Sequence, residues 1–414
     1  MSNQWPIPKR PFAINAINGV GKLLSSAGIR RPLINSSSVL AEAQKITGLS
    51  DTGGDDYQVG LEKLVYAFNN EAALSQIGRV AAKSTLVDSM VTRLQIIDYV
   101  KKHPEIREQK IERPIFILGL PRTGTTILHS IVAEDPDNRA PLMWEMSAPY
   151  PPPTADRAAH EATILEVEKK SSQLDQLSPG FKAIHETNPR LPEECITLMA
   201  SAFYQEQFST VNRLPSYRQW YMDADATPAY EWHKLFLQYL QASYGIKRWV
   251  LKSPLHLPFL PTILKIYPDA CIVQTHREPT KVLGSVSSLI CTLRSAFSDN
   301  IDTHQIGREE SLFFADVLQR GLDQRKAINK PEQFYDFQFD DVINRPVDAV
   351  ADMYQHFGLE LSSEARKKMQ LYMDNRPRTK HGKHSYTLDT FGLDAEKDGA
   401  MYAEYRDQFV RSVM

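Results

Sequence analysis

The stretch Arg113-Pro-Ile-Phe-Ile-Leu-Gly-Leu-Pro-Arg-Thr-Gly-Thr-Thr-Ile-Leu-His-Ser-Ile-Val-Ala-Glu134 constrains the fold more than any other part of the chain. Residues 115–118 form a short apolar run of the kind a buried strand needs. A loop bearing Gly and Pro follows from Gly119 to Gly124, and a helix opens at Thr125. Such a junction gathers unpaired backbone N–H groups and the positive end of the helix dipole at one point, which favours a bound phosphate or sulfate.

The same alternation returns downstream. Residues 248–252, 270–275 and 334–339 read as strands, and 257–266, 279–293 and 346–357 as helices. Strands alternating with helices predict an α/β fold, a P-loop-like parallel sheet flanked by helices, with ligands at the carboxyl ends of the strands. Everything before this signal is helical in pattern, over 12–27, 39–46, 57–69 and 72–102. The chain therefore divides into a helical N-terminal extension or cap, 1–112, and an α/β domain, 113–414, with a helical insertion at about 150–245. Within the insertion, 228–244 is rich in aromatics; Tyr230, Trp232, Phe236, Tyr239 and Tyr244 serve either a core or a binding wall.

Composition matters mainly for what it excludes. A formal net charge of -2 gives no reason to expect nucleic acid as a partner. Cys195, Cys271 and Cys291 are scattered without metal-ligand spacing and fit a reducing compartment. No apolar run approaches the roughly eighteen residues of a membrane span, so a soluble, cytoplasmic protein is expected. The segment 12–27 is amphipathic with basic residues at its end, and two readings compete for it. It packs on its own domain, or it lies against lipid as an interfacial helix. The N-terminal helices also offer a homodimer interface.

Three strand ends deliver polar groups to one sheet edge: the loop with Arg122, Thr123, Thr125 and Thr126; Lys252 and Ser253; and Arg277, with Ser285 eight residues on. The loop nearly matches Gly-x4-Gly-Lys-Ser/Thr, but Thr125 stands where the lysine belongs and the cation is Arg122. Phosphoryl transfer by P-loop enzymes also uses an Asp-held Mg²⁺. The strand ends here carry Lys and Arg instead, as for a site that neutralises anionic groups without a metal.

Leu120-Pro-Arg-Thr-Gly-Thr-Thr126 resembles the 5′-phosphosulfate loop of sulfotransferases that use 3′-phosphoadenosine 5′-phosphosulfate (PAPS), and Arg277 with Ser285 has the spacing of their 3′-phosphate motif. Arg122 and Leu-Lys-Ser-Pro at 251–254 are closer to the protein-tyrosine sulfotransferase branch and its bacterial relatives. The resemblance covers residues 113–393 and implies PAPS as co-substrate, a small-molecule hydroxylated acceptor and no metal. By the same resemblance, Arg122 and Lys252 contact the phosphosulfate, and Thr123, Gly124, Thr125 and Thr126 cradle the 5′-phosphate. Arg277 and Ser285 hold the 3′-phosphate, while Lys380, Lys383 and Tyr386 belong to a loop closing over the nucleotide. Glu145, about twenty residues after the loop, stands where that branch places its catalytic base; His185 is the alternative, with Glu193 or Glu194 orienting it or acting instead. A nucleotide-dependent kinase and a non-catalytic nucleotide-binding protein are the competing classes. The aromatic helix, the prolines at 151–153 and the amphipathic start hint at a bulky apolar alcohol as acceptor.

Overall fold

The computed structural model describes residues 5, 10–28, 32–154, 156–177, 188–245, 248–375 and 387–410. Its sheet comprises β1 (Ile115–Gly119), β2 (Asn138–Arg139), β3 (Arg248–Lys252), β4 (Cys271–His276) and β5 (Phe334–Gln338). The strands run in the order β2-β3-β1-β4-β5, and every pairing is parallel. The strand order reverses across β1, so the loop leaving β1 opens at the crevice where such sheets bind ligands. Ile117 pairs with Lys252 on one side and Gly119 with Thr275 on the other. The register thus sets two cation-bearing strand ends beside the loop.

Burial on both faces explains why the strands read as unbroken apolar runs. All five residues of β1 are buried. Ile115 and Ile117 join Val250, Val273 and the helix Pro346–His356 on one face. Phe116 and Leu118 turn to the other, where a larger core runs through Leu251 and Ile272 into the N-terminal helices. Those helices are α1 (Phe12–Ser26), α2 (Ser36–Thr47), α3 (Gln58–Asn70) and α4 (Gln76–Lys102). Leu61, Phe68, Leu86 and Met90 belong to that same core, which continues into the helices Thr227–Gln241, Pro279–Phe297 and Thr303–Ile328.

Local chemistry accounts for the boundaries. Asn35 caps α2 by accepting from the Ser38 N–H at 3.2 Å, and Ser75 caps α4 by accepting from Gly78 N–H at 3.2 Å. The run of aromatics within Thr227–Gln241 is core: Tyr230, Trp232, Phe236 and Tyr239 are all buried. In α1 the expected packing is reversed. Asn18 and Gly21 face inward, Gly21 against Gln76 and Asn18 accepting from the Ile77 N–H at 3.1 Å. Phe12, Ile17, Val20 and Leu23 are exposed, Phe12 at 87%.

Asn138 begins the two-residue edge strand β2. Residues 254–259, expected to lie partly in a helix, form a 3-10 turn before the helix Leu260–Ile266, because Pro254 and Pro258 withhold backbone donors. The next helices, α5 (Thr125–Ala133), α6 (Met143–Ser147) and α7 (Glu161–Leu177), follow the loop after β1. His185, Lys380, Lys383 and Tyr386 lie outside the described residues.

Candidate active site

The loop between β1 and α5 is shaped by its own side chains. Gly119 has φ 130°, and a Cβ there would sit 2.5 Å from the Thr275 carbonyl oxygen, so β1 and β4 can close only around glycine. Arg122 adopts φ 67° and Gly124, the N-cap of α5, φ 93°. The Thr123 hydroxyl is buried and donates to the Leu120 carbonyl at 2.6 Å, with the Thr275 hydroxyl 2.6 Å away. Thr123 therefore spends its side chain on loop shape and offers a ligand its backbone N–H. Thr125 is buried, while Arg122 and Thr126 are exposed at the rim.

Arg277, one residue past β4, donates from Nη1 to the Arg122 carbonyl at 2.8 Å and stacks its guanidinium 3.9 Å from the Phe339 ring centroid. The two motifs that lie far apart in sequence thus touch. His276 secures this strand end: it is bonded to Tyr405 at 2.8 Å and Asp336 at 2.7 Å and stacks on Phe409. Burial chiefly pushes His276 below the usual histidine range, opposed by Asp336. Ser285 sits in the second turn of the helix Pro279–Phe297, half-buried.

Lys252 ends β3 with 2% of its surface exposed, in an ion pair with Glu194. The neighbouring Cys195 N–H donates to the Lys252 carbonyl at 2.9 Å, which fixes the Glu193-Glu194-Cys195 turn against the strand end.

Glu145, expected as the catalytic base, is held by three partners. It is 1% exposed and forms an ion pair with Arg139. It also accepts from the Leu142 N–H at 3.0 Å, closing the first turn of α6, and from the Tyr244 hydroxyl at 3.0 Å. Arg139 in turn lies 3.5 Å from the Tyr244 ring centroid. These bonds commit the carboxylate to joining α6 to β2 and the end of the aromatic helix.

Beside the loop lies a cavity of ≈ 440 Å³, lined at the strand edge by Pro121, Ser253, Glu193 and Glu194. Glu145 and the aromatic helix do not line it. Its walls are mainly apolar: Phe68 and Ala82 from α3 and α4, Phe208, Ile290, Leu293 and Phe314. Gln205, Glu206 and Glu310 are buried polar residues within that wall. Glu206 and Glu310 both pair with Arg218, at 2.5 and 2.8 Å, and Arg294 lies 3.4 Å from Glu310. Burial chiefly raises Glu206 above the usual carboxylate range, against the lowering pull of Arg218. Sequence reasoning missed this cluster because its members come from four separate segments, and no spacing links them.

One Cys/His group is assembled among the described residues: Cys195, His233 and His256, with potential ligand atoms within 4.8 Å of one another. The Tyr267 hydroxyl lies 2.7 Å from His233 Nδ1 and the Tyr230 hydroxyl 2.7 Å from His256 Nδ1. Each hydroxyl either donates to its ring or accepts from it, depending on the tautomer, and both Nε2 atoms are buried without a hydrogen-bond partner among the described residues. Burial holds His233 at about 3 and pushes the Cys195 thiol up to about 12, so the group stays neutral.

Comparison with known proteins gives a consistent picture. The model of the Sulfotransferase family matches residues 114–363. The omega-hydroxy-beta-dihydromenaquinone-9 sulfotransferase Stf3 of Mycobacterium bovis is 24% identical over 310 residues, covering 70% of this chain and 74% of that protein. Among solved structures, the sulfotransferase STF1 of Mycobacterium tuberculosis H37Rv superposes with a TM-score of 0.81 at 33% identity, covering 91% of this chain and all of the other. The sulfotransferase STF9 of Mycobacterium avium gives a TM-score of 0.83 at 26% identity, covering 92% of this chain and 98% of its own.

Proposed function

The chain belongs to the sulfotransferase family, and from that premise we propose that it transfers a sulfuryl group from PAPS to the hydroxyl of a bulky apolar alcohol. The observation that carries the proposal is the Lys252–Glu194 pair, set between the loop after β1 and the mouth of a largely apolar cavity. The family implies the donor, which supplies the sulfuryl group and retains the phosphates as the leaving group. The residues present suit a polyanion: a helix N-terminus at Gly124, with Arg122, Lys252 and Arg277 around it.

Within this reading, the backbone N–H groups of 123–126 and the Thr125 and Thr126 hydroxyls hold the 5′ end, while Arg277 and Ser285 hold the 3′ end. Lys252 and Arg122 stabilise charge developing on the leaving oxygen, a task for preorganised donors in a site shielded from water. The acceptor hydroxyl must lose its proton as the new bond forms, and a carboxylate at the cavity mouth is needed to take it. Support for Glu194, with Glu193 beside it, is its place on the cavity wall next to Lys252; Glu145 is engaged elsewhere. Tyr386, Lys380 and Lys383 remain candidates for covering the nucleotide, and His185 remains the alternative base.

The acceptor reading draws on the cavity walls and on the related enzyme, whose name specifies a hydroxylated menaquinone. The exposed apolar face of α1 supports contact with a lipid surface, where such alcohols reside. No helix among the described residues is long and apolar enough to cross a membrane. The experiment is incubation with ³⁵S-labelled PAPS, EDTA and a panel of long-chain and isoprenoid alcohols. Label is expected in the alcohols, with EDTA making no difference. Sulfation of small polar sugars alone would remove the acceptor reading, and loss of turnover in EDTA would remove the metal-free one.

A further inference from the structure

We infer that the acceptor cavity contains a second recognition point, built from Gln205 and Glu310, which selects alcohols carrying another hydroxyl remote from the one that is sulfated. The inference rests on the acceptor reading above and specifies the substrate class of that same site.

The two side chains are 4% and 1% exposed, and both line the cavity. Gln205 Oε1 and Glu310 Oε2 are buried without a hydrogen-bond partner among the described residues. Buried polar atoms are rarely left unmatched, and in a wall otherwise built from Phe208, Ile290 and Phe314 they call for a donor on whatever fills the space. Their position separates them from the chemistry. Val286, Ile290, Leu293 and Phe297 carry the cavity along one helix, a span of about 16 Å at the α-helical rise, and Arg294 at the far part of that helix is bonded to Glu310.

Charge balance narrows the donor. Glu310 Oε1 already meets Arg218 at 2.8 Å and Arg294 at 3.4 Å, and Glu206 meets Arg218. Glu309 lies 4.0 Å from Arg294 and pairs with Arg213 at 2.7 Å, so three carboxylates and three guanidiniums compensate one another and the remaining Glu310 oxygen seeks a neutral donor rather than a cation. A hydroxyl both donates and accepts, and so also suits the Gln205 carboxamide in either orientation. An extended alcohol with a second hydroxyl satisfies both ends: one hydroxyl at Lys252 and Glu194, the other at Gln205 and Glu310.

The test compares α,ω-alkanediols of about eight to sixteen carbons, lengths scaled to the roughly 16 Å of helix along the cavity, with 1-alkanols of equal length. Affinity is measured by calorimetry on the full-length protein, and sulfation of the same compounds is followed in parallel. A diol of one favoured length is expected to bind about tenfold more tightly than its 1-alkanol. In Gln205→Met, whose native side chain carries none of the cluster's ion pairs, that ratio is expected to fall towards one. Glu310→Gln, which keeps the shape and offers a donor of its own, should lower it as well. Equal affinities at every length, no binding of any alcohol, or an unchanged ratio in Gln205→Met would overturn the inference. Diol preference without turnover would sustain the subsite and overturn the transfer reading; turnover without diol preference would do the reverse.

Discussion

Glu145 and Glu194 are both glutamates near the loop, and they differ in what holds them. Glu145 anchors Arg139, Tyr244 and the first turn of α6. Removing one partner of a buried pair typically costs about 3–5 kcal/mol, so Glu145→Ala should lower the urea midpoint sharply. Glu194→Gln leaves the buried Lys252 ammonium without its carboxylate and should lower that midpoint as well, while in the folded protein it is expected to reduce kcat by about 10²–10⁴, the usual value of a general base. Near-normal turnover in Glu194→Gln would return the role to His185 or Glu193. The spacing of Glu145 from the loop is legible in the sequence, but its commitment to Arg139 is not. That arginine belongs to a strand of two residues, too short to leave a periodic signal. Buried histidines set a pH limit at the same scale. Burial chiefly lowers His129 and His233 to about 3 from an ordinary 6.5. The folded state thus prefers the neutral rings, so their contribution is complete above about pH 6.5 and is lost as pH falls towards 3. Each adds a slope of about 1.4 kcal/mol per pH unit in that window. Urea titrations from pH 7.5 to 5 should show the fall, and His129→Gln should make it shallower.

Elements differ in how openly they announce themselves. β1, β3, β4 and β5 are apolar runs bounded by turn residues, and their readings agree with the structure to within a residue or two. The helix Thr303–Ile328 has no counterpart among the sequence expectations, although it supplies Glu310 and Phe314 to the cavity. Its inward face includes Gly307, Glu310, Ser311 and Gly321, which interrupt the apolar stripe that periodicity relies on. In α1 periodicity misleads in the opposite sense, because Phe12, Ile17, Val20 and Leu23 point away from the protein. If that face meets lipid, anionic vesicles should carry the wild-type protein in a flotation assay. The double variant Phe12→Ser, Leu23→Ser should float several-fold less while keeping its melting temperature, since neither side chain is buried. Equal flotation would leave α1 without a membrane role.

For the whole molecule, the α/β class was readable because only helices covering both faces of a parallel sheet produce this alternation. The relation between the N-terminal helices and the sheet was less so. A boundary at 112/113 follows the change in pattern, whereas the apolar core runs from Leu61 and Met90 into Phe116, Leu251 and Ile272. Phe68 and Ala82 also line the cavity. Residues 113–414 expressed alone should therefore expose that face and aggregate, and co-expression with residues 1–112 should recover soluble complex; size-exclusion chromatography distinguishes the outcomes. The pair between Lys252 and Glu194 has a further consequence for timing. While the ammonium holds the carboxylate, the carboxylate is not free to meet the acceptor hydroxyl, and an incoming polyanion that draws the ammonium towards itself would release it. On the proposed reading the pair acts as an interlock, so steady-state kinetics should show compulsory order, donor before alcohol, and little wasteful hydrolysis of the donor by water.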